Sequence, residues 1–293
     1  MKSLPGLLII GCGDVALRAA PLLRKKFHLF GLTRNVANFP LLRRHGIIPV
    51  LGDLDIPASL LRLGGLAQNI LHTAPPPNTN LRDTRTRHLI CALNKSIILP
   101  QRVVYISTTG VYGDCAGANI DETRPVNPQT PRAQRRVDAE QRLRAWTMDN
   151  GISLSILRAP GIYAAERLPL QRLQKQTPVL NQADDVFTNH IHADDLARAC
   201  VAALFRGRSQ RAYNICDGEN KKMGDYFDLV ADRFDMARPP RVSRAEAEHL
   251  IAEPGLSFMR ESRRLQNRRM AEELRLRLIY PSVETLLNSL KRE

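Results

Sequence analysis

The sequence predicts an α/β protein: a doubly wound parallel sheet over residues 1–160, then the last core elements and a smaller, mostly helical C-terminal lobe over residues 161–293. Two observations carry that reading. Short, continuously apolar runs alternate with helix-length amphipathic stretches throughout the first half, as strands covered on both faces do. The runs are rich in leucine and β-branched residues and are spaced for right-handed βαβ crossovers, which wind helices onto both sides of one sheet.

In order, the strands are LLIIG (7–11), HLFGLTR (28–34), IIPVLGD (47–53), NILHTA (69–74), VVYIST (103–108) and SLSILRA (153–159). Between them, Asp14 to Lys26, Val36 to His45, Ala58 to Leu66, Asp83 to Lys95 and Arg132 to Asn150 read as helices. After Pro160 the alternation loosens. A helix capped by Asp194 and Asp195, a strand AYNIC (212–216) and a helix over about 223–234 follow, and beyond Pro239-Pro240 the chain is charged and helical.

Composition narrows the function classes. A hydrophobic fraction of 43% supplies a normal core, and no apolar stretch approaches the roughly 18 residues that span a bilayer. MKSLPGLLIIGCG imitates a lipoprotein signal, but its seven-residue apolar run contains Pro5 and Gly6 and reads better as a strand. Cys12, Cys91, Cys115, Cys200 and Cys216 are odd in number and scattered, with no CxxC or His/Cys cluster. Neither disulfides nor a metal site are expected, and a reducing, cytoplasmic setting fits. The net charge of +14 comes from 35 arginines and 8 lysines spread along the chain, densest in RESRRLQNRR (260–269). Solvated helix faces account for it, and a basic field also suits phosphorylated cofactors or nucleotide-like substrates. Nucleic acid is not expected, because the few aromatics are not interleaved with the basic residues.

The first strand runs into Gly11-Cys12-Gly13-Asp14-Val15-Ala16, a G-x-G-x-x-A pattern that opens a helix. Gly11 permits the tight turn, Gly13 lets the backbone approach a pyrophosphate, and Ala16 allows close packing of helix on strand. The amides from Asp14 and Val15 onward would meet the phosphates. Valine at Gly13 is expected to fill the phosphate space and to tolerate a positive φ there poorly. This is a Rossmann fingerprint for NAD or NADP, although glycines also end ordinary strands. Thr33-Arg34 closes the second strand where a carboxylate would signal NAD; a hydroxyl and a guanidinium favour the 2′-phosphate of NADP. Asp53, followed by Leu54, can accept from an adenine amino group or simply cap a turn. Thr73 and Ala74, ending the fourth strand, complete the cofactor set.

Together these elements resemble the extended short-chain dehydrogenase/reductase superfamily, in particular its NAD-dependent epimerase/dehydratase branch. YISTTGVYGD (105–114) resembles the strand that delivers that family's catalytic hydroxyl, which falls on Thr108. Asp121-Glu122 with Arg124-Pro125, LRAPGIYA (157–164), NHIHADDLARA (189–199) and AYNICDGE (212–219) are similar to further family segments. ESRRLQN (261–267) with Tyr280-Pro281 echoes an atypical subgroup. The resemblance implies a Tyr-x-x-x-Lys dyad after Pro128-Gln129-Thr130-Pro131, yet Arg132 stands at the tyrosine position and Arg136 at the lysine position. A guanidinium stays protonated and cannot serve as a neutral proton donor. Arg136 can still present a cation to a ribose or phosphate, and Arg132 can recognise an anionic substrate beside Tyr163. Tyr112 is the candidate replacement proton donor, while His72, His190 and His192 read as structural. The expected function is therefore an NAD(P)-dependent epimerase, dehydratase or reductase-like enzyme with a non-standard site, acting on a small, anionic or nucleotide-linked molecule. The alternative is a catalytically silent NADP(H)-binding redox sensor or partner-binding module. A homodimer is left open.

Overall fold

The computed structural model describes residues 4–253 and 255–290. Among them, seven strands form one parallel sheet: β1 (Gly6–Ile10), β2 (His28–Thr33), β3 (Ile47–Leu51), β4 (Asn69–His72), β5 (Arg102–Thr108), β6 (Ser153–Ala159) and β7 (Arg211–Asn214). Their spatial order is β7-β6-β5-β4-β1-β2-β3. The order reverses between β1 and β4, which opens a crevice at their C-terminal ends where such sheets bind ligands.

Alternation along β1 shows how both faces are covered. Leu7 and Ile9 enter one core with Ala16, Ala19 and Leu23 of α1 (Asp14–Leu23) and with Leu196 and Cys200 of a later helix. Leu8 and Ile10 enter the opposite core with Leu89 of α3 (Thr84–Leu93) and Leu143 and Trp146 of α4 (Pro131–Asp149), while α2 (Phe39–Arg44) covers β2 and β3 on the first face through Leu42. The later helix is α5 (Ala193–Arg206), and α6 (Met223–Arg233) belongs to a third core with Tyr163, Leu173, Val179 and the C-terminal Val283 and Leu286. No described helix is long and apolar enough to cross a membrane.

Two local expectations change. The crossover expected as an α-helix over 58–66 is a 3₁₀ run, Pro57–Leu63. Proline opens it, Gly64 closes it, and the spacing of three places the buried Leu60 and Leu63 in line. Asp194 and Asp195 do not cap α5. His192 does, its Nδ1 accepting the Asp194 N–H at 3.2 Å. Asp195 is fully buried and accepts the N–H groups of Ile279 and Tyr280 at 2.9 and 2.8 Å, which fastens the C-terminal segment to α5.

A buried polar network joins the turn after β5 to α4, β6 and β7. Arg158 of β6 forks onto Glu140 of α4, with Nε–Oε1 at 3.1 Å and Nη2–Oε2 at 2.7 Å. Its Nη1 donates to the Tyr112 hydroxyl at 2.9 Å, which donates to Asn214 Oδ1 at 2.8 Å. Tyr112 is thus a core residue, 1% exposed, and burial pushes its phenol up to about 12. Its expected role as proton donor does not survive this placement, because both partners of its hydroxyl lie in the core.

Two buried carboxylates behave oppositely, and each generates a prediction. Glu140 is fully paired, so Glu140→Ala strands a guanidinium in the core and should cost about 3–5 kcal/mol in urea unfolding. A loss below about 1 kcal/mol would show that the pair does not hold the fold. Asp217, just past β7, has one oxygen without a partner, and burial pushes its pKa up to about 8. An unfolded aspartate ionises near 3.8. Between those values the folded chain holds the extra proton, so stability falls as pH rises through that window. Asp217→Asn should therefore gain on the wild type between about pH 5 and about pH 8, by on the order of 1–3 kcal/mol at the upper end. Parallel pH profiles for the two proteins would contradict this.

Candidate cofactor and substrate site

The glycine loop is built on a contact between two backbones. Gly11 has a φ of +94°, and a Cβ there would stand 2.5 Å from the Ala74 nitrogen. The N–H groups of Thr73 and Ala74 both donate to the Ile10 carbonyl, at 2.8 and 2.9 Å, and the Thr73 hydroxyl donates to the Gly11 carbonyl. Glycine at position 11 is thus demanded by the protein itself. Gly13 is different. It is the N-cap of α1 with φ −84° and ψ −171°, and no atom lies within 4 Å of where its Cβ would be. The positive φ expected there is absent, and what distinguishes Gly13 is open space in front of a helix start that carries no side-chain cap.

Around the loop, Ala16 is buried against the sheet and Val15 packs at the core edge. Asp14 accepts from Arg18 Nε at 2.8 Å and lies 2.8 Å from Arg167 Nη2. Arg18 also binds Asp194 at 2.7 Å and Glu166. This cluster ties α1 to the turn Ala165–Arg167 and to α5. Burial pushes the Cys12 thiol up to about 12, which makes it inert as a thiolate.

Beyond β2 and β3 lies a cavity of about 260 Å³ lined by Gly11, Thr33, Arg34, Asp53, Leu54 and Arg85, among others. Thr33 is buried, and its hydroxyl meets Asn35 and Asn38 at 3.3 and 3.4 Å, so it shapes the loop. Arg34 is exposed at the cavity. Asp53 accepts the N–H of Asp55 at 2.9 Å. Arg85, unremarked in the sequence, forks onto Asp55 at 2.8 and 2.6 Å and holds that carboxyl below its usual range.

A larger cavity, about 580 Å³, opens at the ends of β5 and β6 and is lined by Thr108, Arg132, Tyr163, Arg167, Arg172 and His190 among others. Thr108 Oγ1 accepts the Gly110 N–H at 3.3 Å. A Cβ on Gly110 would lie 3.7 Å from that oxygen and 3.9 Å from Ala133 Cβ, which shows how closely the first turn of α4 stands over the strand end. Arg132 faces the cavity, its guanidinium 4.3 Å from the centre of the Phe258 ring, and burial holds its pKa below the ordinary value. Arg136, one turn on, instead donates to the Tyr105 hydroxyl at 2.9 Å and the Ile106 carbonyl at 2.8 Å. The two arginines therefore part: one enters the cavity and the other grips the sheet.

The aromatic acids and bases here are restrained. The Tyr163 ring forms cavity wall while its hydroxyl donates to the Ser282 carbonyl at 3.1 Å, and burial raises its pKa. His190 stacks on Tyr226 with ring centroids 4.4 Å apart, and burial holds it down at about 4, neutral at ordinary pH. His72, the last residue of β4, is bonded to the Thr86 hydroxyl at 3.1 Å, and burial holds it down at about 3. Sequence reasoning missed Arg167, Arg172, Arg263 and Glu261 as lining residues. No spacing pattern sets these side chains apart from the rest of an arginine-rich chain.

The comparisons with known proteins agree with this frame. The family model for the NAD dependent epimerase/dehydratase family matches residues 22–216, starting within α1 and so leaving the glycine loop outside the match. GDP-6-deoxy-D-mannose reductase of Pseudomonas aeruginosa is 27% identical over 221 residues, covering 67% of this chain and 72% of that protein. The dTDP-glucose 4,6-dehydratases of Shigella flexneri and Escherichia coli align over about half of their length. Among solved structures, a functionally unknown conserved protein from Silicibacter pomeroyi superposes with a TM-score of 0.78 at 27% identity, covering 97% of each chain. A double mutant of the dTDP-glucose 4,6-dehydratase from Streptomyces venezuelae, solved with NAD bound, gives 0.77 at 19% identity over 99% of this chain and 95% of that one. With a seven-stranded parallel sheet in Rossmann order and a family match through its centre, the chain belongs to the NAD-dependent epimerase/dehydratase family.

Proposed function

We propose that the chain binds NADP(H) across the switch point and acts as an epimerase, dehydratase or reductase-like enzyme on a small anionic or nucleotide-linked molecule, without a Tyr-x-x-x-Lys dyad. The observation that carries this reading is the large cavity at the ends of β5 and β6, onto which Thr108 and Arg132 both open. The residues present fit a dinucleotide. Open space over Gly13 at an uncapped helix start suits a pyrophosphate, and the smaller cavity with Arg34 and Asp53 suits an adenosine. The names of the relatives favour a sugar nucleotide as substrate.

A bound nicotinamide supplies hydride exchange, and the rest falls to this chain. The Thr108 hydroxyl can donate to a substrate oxygen. Arg132 cannot deliver a proton, but its fixed charge can stabilise negative charge that develops on that oxygen. A fixed charge thus stands in for a protein proton donor, and the one proton that accompanies hydride exchange is taken from or given to solvent. Arg136 keeps the end of β5 in place through the Ile106 carbonyl. A second reading, an NADP(H)-binding sensor without turnover, draws on the neutral His190 and the bonded Tyr163.

Calorimetric titration should find NADPH bound about ten- to a hundredfold more tightly than NADH, with Arg34→Ala removing the difference. Equal affinities in the wild type would refute the NADP assignment. Gly13→Val should abolish cofactor binding with little change in melting temperature, since extended backbone suits a β-branched residue. Gly11→Ala should instead destabilise the fold by about 1–3 kcal/mol. Normal cofactor affinity in Gly13→Val would reduce the loop to a strand-ending turn.

A further inference from the structure

We propose that Arg172 is the anchor for an oxyanion of the substrate, a carboxylate or phosphate group, in the large cavity. The proposal deepens the substrate reading above and rests on it. Arg172 lies on the short helix Leu170–Gln174, within the segment between β6 and α5. Its guanidinium is stacked 4.5 Å from the centre of the Phe227 ring and lines the cavity with Tyr226 and Met223. Its Nη2 is buried with no hydrogen-bond partner, and no carboxylate among the described residues pairs with it.

The other arginines of the cavity are differently placed. Arg167 stands on Asp14 at 2.8 Å. Arg263 donates to Glu261 at 2.7 Å and to the Gly113 carbonyl at 2.5 Å. Arg132 stacks on Phe258. The lining therefore carries four arginines against one glutamate, and that glutamate is engaged by Arg263. Arg172 as a whole is half-buried, but a donor atom closed off from solvent without an acceptor is rare in folded proteins. Burial depresses the Arg172 pKa with no acidic neighbour to oppose it. The planar fork of a guanidinium matches an oxyanion in a bidentate fashion, and stacking on Phe227 fixes its plane beforehand.

Two sources could bring that oxyanion: the diphosphate of a sugar nucleotide or the carboxylate of a sugar acid. The test titrates UDP-glucose, D-glucuronate and uncharged D-glucose into wild type, Arg172→Lys and Arg172→Met, all at saturating NADPH so that the phosphate loop is filled. Methionine keeps contact with Phe227 but carries no charge. Cofactor affinity is measured first on each protein, and failure there would count against the cofactor reading alone. At least one anionic probe should bind the wild type ten- to a hundredfold more tightly than Arg172→Met, with lysine intermediate and D-glucose indifferent. A response to UDP-glucose names the diphosphate, and one to D-glucuronate the carboxylate. Unliganded Arg172→Met should melt no lower than the wild type, because the buried Nη2 makes no hydrogen bond that the substitution would break. Equal affinity of both anionic probes for wild type and Arg172→Met, including no binding to either, would overturn the proposal. So would a fall of several degrees in the melting temperature of unliganded Arg172→Met, which would make the guanidinium a structural group.

Discussion

The geometry of the large cavity depends on one buried guanidinium, that of Arg158. Burying a charge in a sheet is unfavourable unless every donor is matched, and here the matches come from separate parts of the chain. Glu140 lies on α4, Tyr112 on the turn after β5, and Asn214, bonded through Tyr112, on β7. Asn214 continues outward, its N–H donating to Glu122 at 2.8 Å and its side chain to the Gln266 carbonyl at 3.1 Å. The network thus joins the strand end that carries Thr108 to the helix that carries Arg132. Tyr112 belongs to this joint, which is why it is unsuited to proton exchange with a ligand.

Helix α4 shows how a familiar architecture can be turned to different chemistry. Positions four apart on a helix share one face, so the spacing alone would set the Arg132 and Arg136 side chains next to each other. Side chains of that length need not remain parallel. Arg136 folds back to a carbonyl and a phenol of β5, while Arg132 lies along Phe258. The reach of arginine, which backbone spacing does not capture, separates them.

The sheet was legible because its strands are continuous apolar runs bounded by helices. The glycine loop was legible because its neighbours are adjacent in sequence. What stayed hidden depends on partners far along the chain. Tyr112 meets Asn214, and Asp195 meets Ile279 and Tyr280, across separations that no local pattern encodes. The crossover over Pro57–Leu63 misled for another reason: in a short apolar stretch a leucine spacing of three fits either kind of helix, and a proline and a glycine then set its length. At Gly13 the sequence led to a positive φ, and the structure has extended backbone with open space before it instead.

The dense RESRRLQNRR tract is a strap rather than a basic patch. Arg264 and Leu265 pair as a strand with Asn119 and Ile120, and Arg263 and Arg264 donate to the carbonyls of Gly113 and Gly117. The same habit recurs elsewhere. Arg102 donates to the Gly207 carbonyl, Arg135 to Asn80, Arg144 to Gln210, Arg206 to Leu274 and Arg233 to Leu287. Each of these arginines cross-links a loop or helix end to another part of the chain, which a planar fork does better than an ammonium. Part of the isoelectric point near 10.1 is accordingly a by-product of joinery. A form of this protein redesigned for acidic buffers or for anion-exchange purification should gain surface carboxylates rather than lose these cross-linking arginines.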